Sequence, residues 1–248
     1  MKWLSNLNYR RVATLLMLLC CTGTVIAGSF EVNPIRIDLS GNARSAVLSV
    51  KNGGDQPVVV QTRIMSWTQE NGQDVVAPTK DILVTPPIVT IAPGGEQILR
   101  LGMRRAPDTT SELSYRLFLQ EVPPPPRADF QGLQVSLRMS LPVFVRPLKG
   151  LVKASLRWNL ELQGDDGLRL RLDNQGTGHI QISEIALFKP GNDEVVASQA
   201  LLVYVLPGQS HTWELNTKSV RLKLTDLLHL KVSTDAGAVD TEIDLGNH

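Results

Sequence analysis

The sequence predicts an all-β fold of two β-sandwich domains, on three observations. From residue 30 onward, apolar and polar residues alternate at a period of two, with β-branched residues frequent on the apolar positions. Gly, Asn, Asp and Pro clusters interrupt that alternation roughly every ten residues, the spacing of sandwich turns. No segment holds an apolar helical period for long; residues 219–228 offer one or two turns at most.

The elements follow in order. The run Val32-Asn33-Pro34-Ile35-Arg36-Ile37-Asp38-Leu39 reads as an opening extended segment, with Ile35, Ile37 and Leu39 on one face and Arg36 and Asp38 on the other. Residues 46–52 form a strand that ends in the turn Asn52-Gly53-Gly54-Asp55, and residues 57–67 form the next. Residues 89–91, 97–103 and 114–122 supply three more, separated by Ala92-Pro93-Gly94-Gly95 and by a polar stretch. After the Pro-rich loop Pro123–Pro126, a strand pattern runs from Gln134 to Val145, broken only by Pro142. Arg146-Pro147-Leu148-Lys149-Gly150 closes the first unit. Beyond it, residues 155–158, 168–172, 179–188, 201–205, 211–215 and 230–233 repeat the all-β pattern. The expected organisation is therefore 28–147 and 148–248, preceded by a leader.

That leader is residues 1–27. Lys2, Arg10 and Arg11 precede the apolar run Val12–Leu19, and Val25-Ile26-Ala27 is a small-residue stop, the pattern of a secretory signal peptide. Leu19 before Cys20 is too bulky for a lipoprotein processing site. Both cysteines, Cys20 and Cys21, fall inside the leader, so the exported chain of 221 residues is expected to stand on its core without disulfides. Removing three basic residues from 25 leaves 22 against 24 acidic. So near neutrality, the composition gives no reason to expect nucleic-acid binding. No later stretch approaches the ~20 apolar residues of a membrane span.

Chemistry is weakly supported. His179, His211, His229 and His248 lie in no zinc-ligand motif, no G-x-S-x-G elbow occurs, and Gly94-Gly95 lacks the Lys-Ser/Thr partner of a phosphate loop. Asp165-Asp166 sits beside Gly in a turn. We expect no catalytic residue, metal or cofactor.

Three features invite a binding role, each with a plainer reading beside it. Arg36 is either a solvated side chain or a fork reaching into a cleft to hold a carboxylate. Arg116 breaks the apolar strand of Tyr115, Leu117 and Leu119, and needs either water or a partner. Leu133, Val135, Leu137, Met139 and Leu141 line one face of a strand, either as sandwich core or as a row kept open for a foreign strand.

At these residues the chain resembles the periplasmic chaperones of the chaperone–usher pathway of pilus assembly, over nearly the whole exported length. Thr85-Pro86-Pro87 with Ala92-Pro93-Gly94, Glu121-Val122-Pro123-Pro124, and Val143-Phe144-Val145-Arg146-Pro147 stand in the family's order and spacing. The resemblance implies two immunoglobulin-like domains at an angle, a boomerang. It also implies a periplasmic location, with pilus subunits that lack a strand and an outer-membrane usher as partners.

On the same resemblance, Arg36 matches the first cleft arginine, five residues before Gly41. Leu133, Val135 and Leu137 fall on donor positions, with Met139 a further one. Glu112, Arg146 and Asp235 resemble the charged trio that fixes the interdomain angle. One departure stands out: the better-known branch has a lysine anchor where this chain has Pro142. Arg116 is the expected replacement and Arg138 the fallback. This region looks like the archaic branch, which serves thin pili or spore-coat-type subunits. Two other classes remain open: a structural or adhesive pilus or coat subunit, and a carbohydrate-binding module using Trp67, Trp158 and Trp213. The second would need those tryptophans on one exposed face.

Overall fold

A computed structural model describes residues 30–123, 135–164, 167–191, 194–217, 222–223 and 226–246. The leader, Leu133 and the loop ahead of it lie outside the described residues.

Two sheets face each other in the first domain. One contains β1 (Phe30–Asn33), β3 (Ser45–Asn52), β6 (Ile82–Thr85) and β8 (Glu96–Met103), in the order β1-β3-β8-β6. The other contains β2 (Ile37–Leu39), β4 (Val58–Glu70), β5 (Gln73–Pro78), β7 (Ile88–Ile91), β9 (Leu113–Glu121) and β10 (Arg138–Val145). Its order is β2-β10-β9-β4-β5, with β7 also paired to β4. Alternate residues of both sheets interdigitate in the core: Leu48, Val50, Leu99 and Leu101 from one, Val60, Leu117, Leu119 and Val143 from the other. Each such side chain contributes about 1.5–3 kcal/mol by leaving water.

The opening segment differs from its expected form. It divides at Pro34, so that β1 joins the first sheet and β2 the second. Proline has no N–H to give a ladder, and the chain changes sheets there. Ile35 falls in the crossing and is 71% exposed, whereas Ile37 and Leu39 are buried as the alternation requires.

The second domain sets β11 (Leu156–Gln163), β12 (Gly167–Asn174) and β15 (Ser210–Asn216) against four more strands. These are β13 (Ile180–Phe188), β14 (Val195–Val205), β16 (Leu227–Thr234) and β17 (Gly237–Asp244), in the order β14-β13-β16-β17. Leu168, Leu170 and Leu172 pack on Ile182, Leu187 and Leu230. The register of β13 shifts between Ile182 and Glu184. That bulge turns Ile185 and Leu187 inward after Ile180 and Ile182. Strands β5, β6 and β17 were not anticipated: β5 and β17 are largely exposed and β6 is short, so none carries a long apolar alternation.

Two closed cores, standing at an angle, are joined through a third and smaller cluster. Trp67, Phe144 and Leu206 form it, with Tyr204 packed alongside. Alternation assigns Trp67 and Phe144 to the outer face of the β2-β10-β9-β4-β5 sheet. They are nevertheless 2% and 0% exposed, because the end of the second domain covers them.

Candidate functional site between the domains

Register builds the site. Pro142 pairs with Arg116 across β10 and β9. On the other side β10 runs parallel to β2, with Val143 opposite Ile37, which brings Arg36 into line with Pro142 one residue beyond the end of β2. Two arginines on one face thus flank a proline, two strand spacings apart, about 10 Å between backbones.

Each guanidinium is held by carboxylates and an aromatic ring. Arg36 Nη1 donates to Asp235 Oδ2 at 2.9 Å and Nη2 to Asp38 Oδ1 at 3.3 Å, with its Cζ 5.3 Å from the Phe144 ring centre. Burial disfavours its charge, but Asp38 and Asp235 outweigh burial and hold its pKa above the ordinary arginine value. Arg116 lies flatter: its Cζ is 3.6 Å from the Trp67 ring centre, and Nη2 donates to Asp74 at 3.2 Å. Burial lowers its pKa, offset in part by Asp74. A guanidinium keeps its charge through such shifts.

Below Phe144 the domains are fastened by a buried pair. Glu112 Oε1 accepts from the backbone N–H of His179 at 3.1 Å and meets His179 Nδ1 at 2.5 Å; the two side chains are 2% and 4% exposed. The His179 ring stacks on Phe144 at 3.5 Å, and Nε2 stands 3.7 Å from Asp235 Oδ2. Burial opposes the imidazolium, but Asp235 and Glu112 prevail and raise its pKa. For Asp235, burial is outweighed by His179, the Gln181 backbone N–H and Arg36, which lower its pKa.

Gln69 makes the second fastening. Its amide mimics a peptide group: Nε2 donates to the Tyr204 carbonyl at 2.8 Å, and Oε1 accepts from the Leu206 N–H at 3.0 Å. The β4–β5 turn, Asn71-Gly72 with both φ positive, reaches His211 of β15. A Cβ on Gly72 would crowd the His211 ring at 3.3 Å.

Of the expected trio, Glu112 and Asp235 both face His179, and Asp235 pairs with Arg36 rather than with Arg146. Arg146 lines the cleft, but its side chain is exposed and makes no ion pair among the described residues. A cavity of about 710 Å³ opens there, lined by Arg36, Asp38, Arg146, His179 and Asp235; Arg116 is not part of its lining. Arg138, the fallback anchor, stands over the Phe118 ring at 4.4 Å, away from these groups in the register. Sequence reasoning missed His179, Gln69 and Tyr204. The available signal was aromatic and amide side chains at outer-face positions of β4 and β10, which a solvated face does not need.

The apolar row expected to be lent runs into β10. Regular pairing begins at Arg138 rather than Gln134, although Ser136 and Leu137 are tied to Glu121 by hydrogen bonds of 2.8–3.1 Å. Exposure falls along the row: Val135 is 67% exposed, Leu137 and Met139 are partly buried against the first core, and Leu141 is buried at 4%. Parallel β2 covers only Val143–Val145. Residues 138–142 therefore keep an unpaired edge among the described residues.

The tryptophans do not share an exposed face. Trp67 is sealed between the domains, and Trp158 pairs with buried Trp213 in the second. Among the described residues no group of three or more His, Cys, Asp or Glu is placed to hold a metal ion.

Two angled all-β domains, a half-open strand edge and an arginine-bearing cleft at the joint are the features of a strand-lending chaperone. Residues 29–150 match the family model described as pili and flagellar-assembly chaperone, PapD N-terminal domain, and the chain belongs to that family of periplasmic chaperones of the chaperone–usher pathway. The chain is similar to the chaperone protein FaeE of Escherichia coli, at 26% identity over 83% of this chain and 84% of that one. Among solved structures it is similar to the CsuC–CsuE chaperone–tip subunit pre-assembly complex from archaic Csu pili of Acinetobacter baumannii. That match has 22% identity and TM-score 0.64, covering 87% of this chain and 98% of that one. The CupB2 chaperone of Pseudomonas aeruginosa gives 23% identity and TM-score 0.57, covering 87% and 100%. The protein is periplasmic and acts in folding and delivering pilus subunits by donor-strand complementation.

Proposed function

We propose that residues Leu133–Leu141 are the lent strand, and that Arg36 and Arg116 anchor the C-terminal carboxylate of a pilus subunit that lacks its final strand. The open edge of β10, beside an apolar row whose exposure rises toward Val135, is the observation that carries this reading. A foreign strand can add main-chain hydrogen bonds there, while Leu133, Val135, Leu137 and Met139 fill its groove. Four such residues at about 1.5–3 kcal/mol each give roughly 6–12 kcal/mol gross, before ordering costs.

Arg116 takes the anchoring role because it stands opposite Pro142 on the same face, where the better-known branch places its lysine. Delivery follows at an outer-membrane usher, where a neighbouring subunit's extension replaces the lent strand, like for like and without nucleotide. The archaic branch is favoured by the Arg116–Pro142 pairing. Residues 1–27 are the cleaved signal peptide, 28–147 the strand-lending domain and 148–248 the second domain.

The test is co-purification from periplasm. Wild-type chaperone should bring down a pilus subunit, and Val135→Asp, at an exposed position, should remain folded and bring down none. Equal recovery with Val135→Asp would exclude strand lending from this row.

A further inference from the structure

We propose that the Tyr204 hydroxyl is a further anchor for the client's terminal carboxylate, supplied by the second domain to a group that Arg36 and Arg116 grip from the first. The inference rests on the anchoring role proposed above.

Tyr204 is held in place from several sides. It lies near the end of β14, and Gln69 of the first domain fixes its backbone carbonyl. Its ring stands edge-on to Trp67 at 5.5 Å and tilted to Phe144 at 5.7 Å, and the Arg116 Cζ lies 5.5 Å from its centre. Packing of this kind sets the direction of the phenolic O–H.

That O–H is unspent. Arg36, Arg116, Gln69, Glu112, His179 and Asp235 around it each have a polar partner, whereas the Tyr204 hydroxyl has none among the described residues. The residue is only part-buried, so water reaches it in the free protein.

Burial raises the Tyr204 pKa, so the group remains a protonated donor at neutral pH; the charges of Arg36 and Arg116 act on its oxygen in one sense, and those of Asp235 and Asp38 in the other. Its ring centre lies 5.5 Å from the Arg116 Cζ, and a neutral donor beside a guanidinium favours an acceptor that carries charge. A carboxylate provides two oxygens, enough to meet guanidinium and phenol together. Pro142, paired with Arg116 across the strands, adds no side-chain donor of its own.

The experiment uses the full-length exported chaperone and a pilus subunit recovered with it from periplasm. The subunit is prepared by semisynthesis with either a free C-terminal carboxylate or a C-terminal amide. Tyr204→Phe keeps the ring packing and removes only the donor, and its thermal midpoint should match wild type. Binding of the free-acid subunit should weaken about tenfold or more, while binding of the amide is unchanged. Equal weakening toward acid and amide would assign Tyr204 to packing and overturn the inference. So would an unchanged Tyr204→Phe in a background where wild type prefers the acid; the arginine anchor then stands without it. A wild type indifferent to the amide would overturn the carboxylate anchor itself and this inference with it.

Discussion

Arg36 and Arg116 show how a cation is kept in a half-dry site. Each is neutralised by aspartate and laid against an aromatic ring, Arg36 by Asp235 and Phe144, Arg116 by Asp74 and Trp67. Because the Arg36 pair is about one-third exposed, its own contribution to stability is small, below about 1 kcal/mol. Arg36→Ala and Arg116→Ala are therefore expected to fold normally and to lose on the order of 2 kcal/mol or more in subunit binding. Titration calorimetry with a captured subunit checks both, and full affinity in either variant would remove that arginine from the anchor. A sharper test exploits the Pro142–Arg116 register. Adding Pro142→Lys to Arg116→Ala should restore much of the lost binding, since a cation returns to the same face one strand away. Failure to restore it would mean that Arg116 does more than supply charge there.

At the scale of the element, β10 does two jobs that its alternation alone does not separate. Leu141, Val143 and Val145 complete the first core, whereas Val135 is offered to solvent. Leu137 and Met139 stand between, touching the core while remaining partly open. The two aspartate variants should therefore diverge. Val135→Asp is expected to leave the denaturation midpoint unchanged while abolishing capture. Leu137→Asp should abolish capture and also cost about 1–3 kcal/mol of stability, because a charge displaces a half-buried leucine. Chemical denaturation beside co-purification separates them, and equal stability losses would show the row uniformly buried.

The whole molecule depends on its joint, and the joint contains a titrating group. Asp235 and Glu112 raise the pKa of His179 against the opposing effect of burial. A histidine whose folded pKa exceeds its unfolded value of about 6.5 adds stability that is complete below that value. That stability is lost as pH rises through the folded pKa. Asp235, whose folded pKa is lowered, works in the reverse sense: its contribution is present above about 3.9 and lost as pH falls through the folded value. The joint is expected to be firmest between about pH 4 and 6.5 and to weaken on the alkaline side. Thermal midpoints measured across pH should show that decline in wild type, and His179→Gln should flatten it. An alkaline slope unchanged in His179→Gln would place the titration elsewhere.

Alternation along each strand determined the all-β class, the two cores and the row from Val135 to Leu141, because a pleated strand sends successive side chains to opposite faces. It erred at Ile35, where a proline moved the chain between sheets, and it passed over β5 and β17, whose exposed faces carry little apolar signal. What an outer face meets is a different matter. Trp67, Gln69 and Phe144 occupy positions that alternation gives to water, and only the docking of the second domain makes them an interface. Arg36 and Asp235 are 199 residues apart in the chain, and Glu112 and His179 are 67 apart. Neither pair sits in a local motif. Period fixes the direction of a side chain but not its distant partner, so the clamp of His179 and Gln69 was decided by the tertiary structure alone.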